Sequence, residues 1–363
     1  MSTPINHPLY GKWSLRIVGF FCLIYMLFIA QGILLPLIYA IIIAILISPA
    51  VNFLERRGIN RGVAIAAVLG LAMGIVLTLI FLVVSQATLL IEAIPVLSVK
   101  LKGLLHEFAV WTSEYLHVSV KKINEWFARE KSIFLQSDEF GIGNTLLTLG
   151  SVLATIFLTP VYIFMLLFYQ SHLLLFIHKV FGANNDKKVD DILSETKQVI
   201  QGYLVGLFAE FVIIAVLNAA GLLILGIDYA IILALVGALL NVIPYVGGLI
   251  GVVLYMTIAL LTKAPIFVVY VLSLYIIIQF VDNNYIVPKI VGSKVKLNAL
   301  VSILAVIAGA ALWGIPGMFL SIPLIAVVKL IADRIEPLKP WGFMMGDPTS
   351  SLMKLKSKRF TSS

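Results

Sequence analysis

The sequence predicts an all-α, polytopic integral membrane protein with about eight hydrophobic segments. Three observations predict this class: 61% of the 363 residues are hydrophobic, only 12% are charged, and the mean hydropathy is +1.07. Soluble domains carry about 25% charged residues, so most of this surface must be solvated by membrane lipid. The net charge of +8 comes from short segments between apolar blocks rather than from one polar face, so no nucleic-acid partner is predicted.

Eight apolar blocks are candidates for the membrane segments, since a hydrocarbon core about 30 Å thick needs roughly 20 apolar helical residues. They are residues 15–30, 33–53, 63–84, 146–169, 203–227, 229–261, 265–281 and 297–331. The sixth and eighth blocks are too long for one simple span, and both contain proline and glycine. Each is therefore predicted to be two helices that meet at a break.

The distribution of Lys and Arg predicts the topology, because short cytoplasmic loops collect basic residues. The basic N-terminal segment and the loop with Arg56, Arg57 and Arg61 place the N-terminus inside. If the sixth block crossed once, Lys289 and its neighbours would lie outside, whereas a block that turns back keeps them inside. The same reasoning keeps both ends of the eighth block inside. We therefore expect two broken hairpins of opposite sense and cytoplasmic termini, although pairs of short full spans give the same loop topology.

The chain divides by composition into five predicted segments. These are N-terminal transmembrane spans (1–87), an extramembrane helical insert (88–145), a long fourth span with a cytoplasmic helix (146–202), a core with the two broken hairpins (203–335) and a basic cytoplasmic tail (336–363). The insert carries a heptad-like apolar stripe, typical of helix packing. Its members are Leu97, Leu101, Leu104, Phe108, Trp111, Tyr115 and Val118. The stripe is expected to pack on its own protomer, on neighbouring subunits or on the membrane surface.

Two carboxyl side chains are candidates for ion coupling, because charges at bilayer depth are rare and costly. Glu210 lies about seven residues into the fifth block, between apolar neighbours, and Asp282 lies near the end of the seventh. Glu210 is interpreted either as a proton or cation carrier or as a neutral carboxyl bonded between helices. Asp282 is interpreted either as a direct ligand for substrate or cation or as an interfacial carboxylate. Of the two, Glu210 is the better candidate for a proton carrier.

The break in the sixth block is the candidate binding region. Pro244 removes a backbone donor and Gly247 permits close backbone approach, so carbonyls and amides near the break become available to a polar solute or cation. A plain proline kink is the alternative. The predicted substrate-binding residues are Asn241, Pro244, Tyr245, Gly247, Gln279, Asp282 and Asn283.

Motifs for catalysis are absent from the sequence. It has no GxxxxGK[ST] phosphate loop and no HExxH zinc motif, and no facing nucleophile and base can be recognised. We therefore predict no catalytic residues, no metal ligands and no cofactor.

The second half of the chain resembles the autoinducer-2 exporter family of PerM-like bacterial permeases. The similarity covers about residues 195–335 and rests on motifs in matching order. They are Gln201-Gly202, Gly226 before Asp228, the turn from Asn241 to Gly248, the run from Gln279 to Asn283 with Pro288 and Gly292, and Leu312-Trp313-Gly314-Ile315-Pro316-Gly317-Met318 with Pro323. Where many members have His-Pro or Asn-Pro, this chain has Asn298-Ala299, which puts the local entry into the helix in question.

The resemblance implies a permease of the bacterial inner membrane that exports a small polar metabolite such as autoinducer-2, with ion coupling as a further expectation. It also implies a ring-like homo-oligomer, for example a pentamer, surrounded by lipid. Two alternatives remain: a sodium/proton antiporter and a non-transporting membrane scaffold. Membership in a divergent family does not by itself identify a substrate.

Overall fold

The structure, a computed structural model, describes residues 9–116, 157–181, 186–243, 246–292 and 297–346. These residues form helices joined by short turns, and no strand occurs among them. The helices are α1 (Leu9–Ile29), α2 (Gln31–Arg56), α3 (Arg61–Leu116), α4 (Phe157–Phe168), α5 (Gln170–Phe181), α6 (Asp186–Ile224), α7 (Ala230–Asn241), α8 (Val246–Thr262), α9 (Ile266–Val281), α10 (Ala299–Arg334) and α11 (Lys339–Met345).

The lengths and apolar composition of these helices confirm a polytopic, all-α membrane protein. In the described ranges, α2, α3, α6, α9 with its continuation, and α10 are each long and apolar enough to cross a bilayer. Helices α4 and α5, which meet at a bend of 68°, would make a sixth span. The apolar part of α1 and the helices α7 and α8 are shorter. The number of eight membrane segments therefore stays a prediction.

The chain divides into two compact units. The first comprises the described parts of Met1–Val68, Phe157–Leu204 and Gly292–Ser363, and the second those of Leu69–Ile156 and Val205–Val291. Helices α3 and α6 begin in the first unit and end in the second. The five segments predicted from composition are a different kind of division and stay a prediction.

In the first unit, a proline in α2 exposes a backbone carbonyl that another helix uses. Pro49 has no N–H, so the carbonyl of Ile45, four residues earlier, lacks its usual helical donor. Instead it accepts hydrogen bonds from Ser48 Oγ at 3.1 Å and from Gln201 Nε2 of α6 at 2.6 Å. The Gln201-Gly202 motif thus has a structural use, since Gln201 ties α6 to the proline site of α2.

The bend between α4 and α5 is held by Arg61 at the start of α3. The last carbonyls of a helix have no partner within it. The Arg61 guanidinium donates to the carbonyl of Leu167 at 2.7 and 3.1 Å and to Gln170 Oε1 at 3.1 Å, and it pairs with Glu55. One cation therefore links α2, α3, α4 and α5 in the first unit.

Helix α3 runs for 56 residues without interruption, about 84 Å at 1.5 Å per residue. The predicted boundary between residues 87 and 88 falls inside it. Leu97 is buried in the second unit's core with Leu222, Leu233 and Tyr255, and Leu104 packs against the same core. The described start of the apolar stripe thus packs partly on its own protomer, although Leu101 is exposed. Phe108, Trp111 and Tyr115 have no described side chains and Val118 lies outside the described residues, so the oligomer stays a prediction.

Helix α10 is two helical pieces that fold back on each other. Trp313 and Gly314 leave the helical region, with φ of −137° and +63°, and glycine accommodates the second value without strain. A Cβ on Gly309 would overlap the Ser321 hydroxyl and the Gly317 carbonyl, contacts that a straight helix could not make. The break predicted in the eighth block is therefore present at Trp313 and Gly314.

The fold-back of α10 is anchored at its tip and at its base, all within the first unit. At the tip, Trp313 Nε1 donates to the carbonyl of Leu27 at 3.1 Å, and the Tyr39 hydroxyl donates to the carbonyl of Pro316 at 3.3 Å. At the base, Asn298 Oδ1 accepts from the amide of Val301 at 2.9 Å and so caps the helix. Because Asn298 is itself an effective cap, the helix begins at Ala299 although the His-Pro or Asn-Pro pair expected from the resemblance is absent.

In the second unit, α7 and α8 pack closely as an antiparallel pair. A Cβ on Gly237 would overlap the Tyr255 hydroxyl, and one on Gly251 would lie 3.5 Å from the Cα of Gly237. A Cβ on Gly247 would overlap the Leu240 carbonyl. Glycines therefore allow the two backbones to approach each other, and the pair places Asn241, the last residue of α7, next to the start of α8.

Candidate functional site

An amide at the end of α7 bridges two buried carboxyl groups. Asn241 Nδ2 donates to Glu210 Oε1 of α6 at 3.3 Å and to Asp282 Oδ2 at 3.0 Å. Glu210 is 8% exposed and Asp282 only 1%. The sixth block breaks directly after Asn241, through tight turns in which Val242 and Ile243 donate to the carbonyls of Leu239 and Leu240. The bridge therefore forms where the helix ends and a polar side chain can reach α6 and the end of α9.

The end of α9 supplies the remaining polar groups. Beyond Val281 the helix widens into π-helical turns at Asp282–Ile286 and Pro288–Gly292, and such turns occur often at functional sites. Gln279 Nε2 lies 3.5 Å from both Asp282 Oδ2 and Asn283 Oδ1. Gln279 and Asn283 are four residues apart and Asp282 falls between them, so all three lie on neighbouring positions of one helix face.

The two carboxyl groups lack a basic partner in the described part of the chain. None of the ion pairs found there involves Glu210 or Asp282. Asp282 Oδ1 is buried and has no hydrogen-bond partner among the described residues. An unpaired charge away from water is costly, so this oxygen is stabilised when it meets a proton, a cation or a donor group.

A small crevice lies beside the bridge. Its empty volume is about 250 Å³, including the open space at its mouth. The polar side chains that line it are Asn218, Asn241, Tyr255, Tyr275 and Gln279. Ile214 and Ile278 supply apolar walls, and the polar side chains approach closely to Gly248, which has no side chain of its own. Such a mixture of apolar walls with a few convergent polar groups is typical of a site for a small polar solute.

The structure brings together five of the residues predicted from sequence. Glu210, Asn241, Gln279, Asp282 and Asn283 form one connected polar cluster. Their roles in binding and coupling remain predictions.

Three other predicted site residues are not part of the cluster as described. Gly247 packs against the backbone of Leu240, so its small size serves the close approach of α7 and α8. Pro244 and Tyr245 lie outside the described residues.

Sequence reasoning did not single out the two tyrosines of the crevice, and it named Gly248 only as the end of the turn from Asn241. Tyr275 precedes Gln279 by four residues and Asp282 by seven, so a helical projection would have placed it on the same face. Tyr255 follows Gly248 by seven residues and shares its face in the same way. The contribution of Gly248 itself depends on which side chains surround it, and no local pattern reports that.

Among the described residues, no group of three or more His, Cys, Asp or Glu side chains is arranged to hold a metal ion. The cluster offers instead two carboxyl groups and several amide and phenol groups. This chemistry suits a proton, a monovalent cation or the polar groups of a small solute.

Apolar helices of spanning length, with a buried carboxyl and amide cluster at a helix break, define a polytopic membrane transport protein. Comparison with known proteins agrees: a family model described as "AI-2E family transporter" matches residues 16–336. The chain therefore belongs to the AI-2E transporter family. The match extends well beyond the motifs at 195–335 into the first half of the chain.

Similar proteins occur in Bacillus subtilis and in Escherichia coli. The chain is 27% identical over 311 residues to the "Putative transport protein YrrI" of Bacillus subtilis, covering 84% of this chain and 86% of that protein. It is 26% identical over 316 residues to the "Putative permease PerM" of Escherichia coli, covering 84% and 88%. Both names describe transport, which agrees with a transport role for this chain.

Proposed function

We propose that the protein is a secondary transporter that exports a small polar metabolite, similar in chemistry to autoinducer-2, across the bacterial inner membrane. The observation that carries the proposal is the Asn241 amide, which joins Glu210 and Asp282 at the break between α7 and α8. Discontinuous helices with polar groups at the break are a common basis of transporter binding sites.

Ion coupling is part of the proposal. Glu210 serves as the proton carrier, and Asp282 serves as the direct ligand of substrate or cation. Two oxygens that accept from one nitrogen, at 3.3 and 3.0 Å, are close enough that the charge on one carboxyl affects the other. The unpartnered Asp282 Oδ1 supports its role as a ligand, because a proton, cation or solute donor would supply the missing partner.

The proposed topology has two re-entrant hairpins of opposite sense and both termini in the cytoplasm. Helix α7 has 12 residues, about 18 Å, and is too short to cross a core of about 30 Å by itself. The overlap at Gly309 and Gly317 supports a hairpin in α10. The basic residues that flank these segments support the cytoplasmic assignment.

A second candidate function is sodium/proton antiport. It is favoured by the absence, among the described residues, of a basic partner for either carboxyl group. A pair of carboxyl groups without a fixed cation can exchange protons for sodium ions without any organic solute.

A flux screen in proteoliposomes tests both candidates. Uptake and release of radiolabelled small polar metabolites would be measured with an imposed proton gradient, with a sodium gradient and without either. Gradient-dependent solute flux supports the exporter, and sodium flux that moves protons in return without a solute supports the antiporter. If the reconstituted protein moves neither a solute nor sodium ions, although the liposomes themselves do not leak, both candidates are contradicted and the membrane scaffold is favoured.

A further inference from the structure

One buried amide of the second unit has no hydrogen-bond partner. Asn218 of α6 is 5% exposed, and no hydrogen bond found among the described residues involves its side chain. A polar group that is buried without a partner costs free energy, so such groups are rare in native structures. The Asn218 side chain lines the crevice beside the bridge. Its partner is therefore expected to be a molecule that enters the crevice.

Two phenol groups line the same crevice. Tyr255 of α8 is 3% exposed, and its hydroxyl lies against Gly237, where a Cβ would overlap it. The hydroxyl of the half-buried Tyr275 of α9 lies near Gly248. Neither hydroxyl forms a hydrogen bond among the described residues, although a buried Tyr hydroxyl usually has a partner. Three helices thus each supply one unpartnered polar group to the crevice wall.

The chemistry of these three groups determines what they can bind. An amide both donates and accepts hydrogen bonds, and so does a phenol hydroxyl. None of the described residues that line the crevice is charged. A cation would use only the accepting atoms and an anion only the donating ones. Water both donates and accepts, and a buried water molecule commonly makes about three hydrogen bonds to protein groups that would otherwise lack partners.

The crevice meets the carboxyl cluster at two amides. Asn241 and Gln279 both line the crevice, and both donate to Asp282. Glu210 and Asp282 do not line the crevice themselves. Water in the crevice would therefore contact the side chains that hold the two carboxyl groups.

The crevice also extends away from the cluster along the helices. Asn218 follows Glu210 by eight residues, on the same side of α6 and about 12 Å further along the helix. Tyr275 of α9 lies close enough to Asp282 for the two side chains to interact electrostatically. The unpartnered groups thus lie on one side of the cluster, within reach of its carboxyl groups.

We infer that the crevice is a hydration path, in which ordered water bound by Asn218, Tyr255 and Tyr275 connects the carboxyl cluster with bulk water. The path supplies protons to the cluster. A proton that enters from bulk water passes along the hydrogen-bonded water, and one carboxylate oxygen takes up one proton at the inner end. This use rests on the proposed ion coupling, but the presence of the water can be tested without transport.

Hydroxyl-radical footprinting of the purified full-length protein tests for the water. Radicals produced by an X-ray pulse oxidise side chains that contact bound water, even inside a protein, and mass spectrometry locates the oxidised residues. Tyr255 should be oxidised although it is buried. The matched control within the same protein is Tyr203, which is also 3% exposed but does not line the crevice. Tyr203 should remain unmodified at the same radical dose.

Two variants should remove water from the crevice. Asn218→Leu has a similar volume without the amide and should lower the oxidation of Tyr255 roughly tenfold, as expected for one lost hydrogen bond. Tyr275→Phe keeps the ring, should lower the oxidation in the same direction and serves if Asn218→Leu does not fold. The control variant is Asn284→Leu, because Asn284 is exposed and bonds only the carbonyl of Phe280, at 2.8 Å. It should keep the wild-type oxidation.

Proton-driven flux in proteoliposomes tests whether the water supplies protons. Asn218→Leu should slow this flux roughly tenfold, in proportion to the lost occupancy of the water, whereas Asn284→Leu should keep the wild-type rate. A normal rate in Asn218→Leu, in a crevice that footprinting shows to contain water, would overturn the supply of protons.

Each footprinting outcome decides the inference. Oxidation of Tyr255 that falls in Asn218→Leu or Tyr275→Phe supports the hydration path. Protection of Tyr255 equal to that of Tyr203, or equal oxidation of Tyr255 in every variant, overturns it. If footprinting supports the path but the wild type shows no proton-dependent flux, the proposed ion coupling fails and the hydration path stands. If the flux depends on protons while Tyr255 is protected, the hydration path alone fails.

Discussion

The backbone nitrogen of Asn298 donates a hydrogen bond to the carbonyl of Met345 at 3.0 Å, so the residue before α10 meets the last residue of α11. The Asn298 side chain adds two more bonds, from Nδ2 to the carbonyls of Met344 at 2.7 Å and Gly346 at 3.1 Å. A straight helix of 36 residues would separate its ends by about 54 Å. The contact is possible because the chain reverses at Gly314.

The first prediction concerns the two uses of Asn298. Replacement by Ala removes the cap and both side-chain donations, and should lower the free energy of unfolding by about 1 to 3 kcal/mol. Asn298→Ser keeps an oxygen to cap Val301 but loses the amide that donates to Met344 and Gly346, so it should cost less, about 1 kcal/mol. Equilibrium unfolding in mixed detergent micelles measures the free energies of unfolding of the wild type and the two variants and so gives their order. Wild-type stability in both variants would show that the hydrogen bonds from Asn298 to Met344 and Gly346 do not contribute to the free energy of unfolding.

The second prediction separates the two carboxyl groups. Glu210→Gln is nearly isosteric and neutral, so it should preserve assembly and substrate binding while removing the dependence of flux on the proton gradient. Asp282→Asn should instead raise the half-saturation concentration, roughly tenfold for one lost ligand contact, under every gradient. Proteoliposome flux at varied substrate concentration measures both. Full proton coupling in Glu210→Gln would show that Glu210 only bonds helices together.

The third prediction tests the bridge itself. Asn241→Leu has a similar volume but leaves Glu210 and Asp282 without their shared donor, which should lower the free energy of unfolding by about 2 to 3 kcal/mol. The control is Asn283→Ala, which removes the exposed member of the cluster, an acceptor from Gln279 Nε2 at 3.5 Å, and should change the free energy of unfolding by less than about 0.5 kcal/mol. Thermal unfolding followed by far-ultraviolet circular dichroism compares them. Equal stability of the two variants would refute a structural role for the bridge.

The fourth prediction addresses topology. In a protein whose Cys22 is replaced by Ala, single cysteines at Asn60 and Glu336 should be protected from an impermeant thiol reagent added to intact cells. A cysteine at Ala264, between α8 and α9, should be labelled. All three positions lie in described connections between helices, and permeabilised cells provide the control for reactivity. Outside labelling at Glu336 would contradict the fold-back of α10 in the membrane.

The class of the protein followed from composition alone, because lipid solvation leaves a strong signal in hydropathy. The broken segments were also predictable, since Pro244 and Gly314 cannot continue a regular helix without cost. The ends of the helices were harder to predict from the sequence. Nothing near Ala87 ends α3, and a bend between α4 and α5 depends on Arg61, more than 100 residues away. Because the donor that holds this bend lies so far away in the sequence, the residues around the bend could not predict it.

Sequence by itself determined the helical, membrane-embedded class, the breaks in two segments and the polar residues rare enough at bilayer depth to be singled out. Only the tertiary structure decided which of them meet. It joined Glu210, Asn241 and Asp282 through one amide, and placed Gly247 against Leu240 instead. It also placed Gly248 close to the side-chain oxygens of Tyr275, Asn241 and Gln279. The physical reason is that hydropathy and helix breaking are local properties of the chain. Convergence of side chains from three helices depends on packing across long sequence separations.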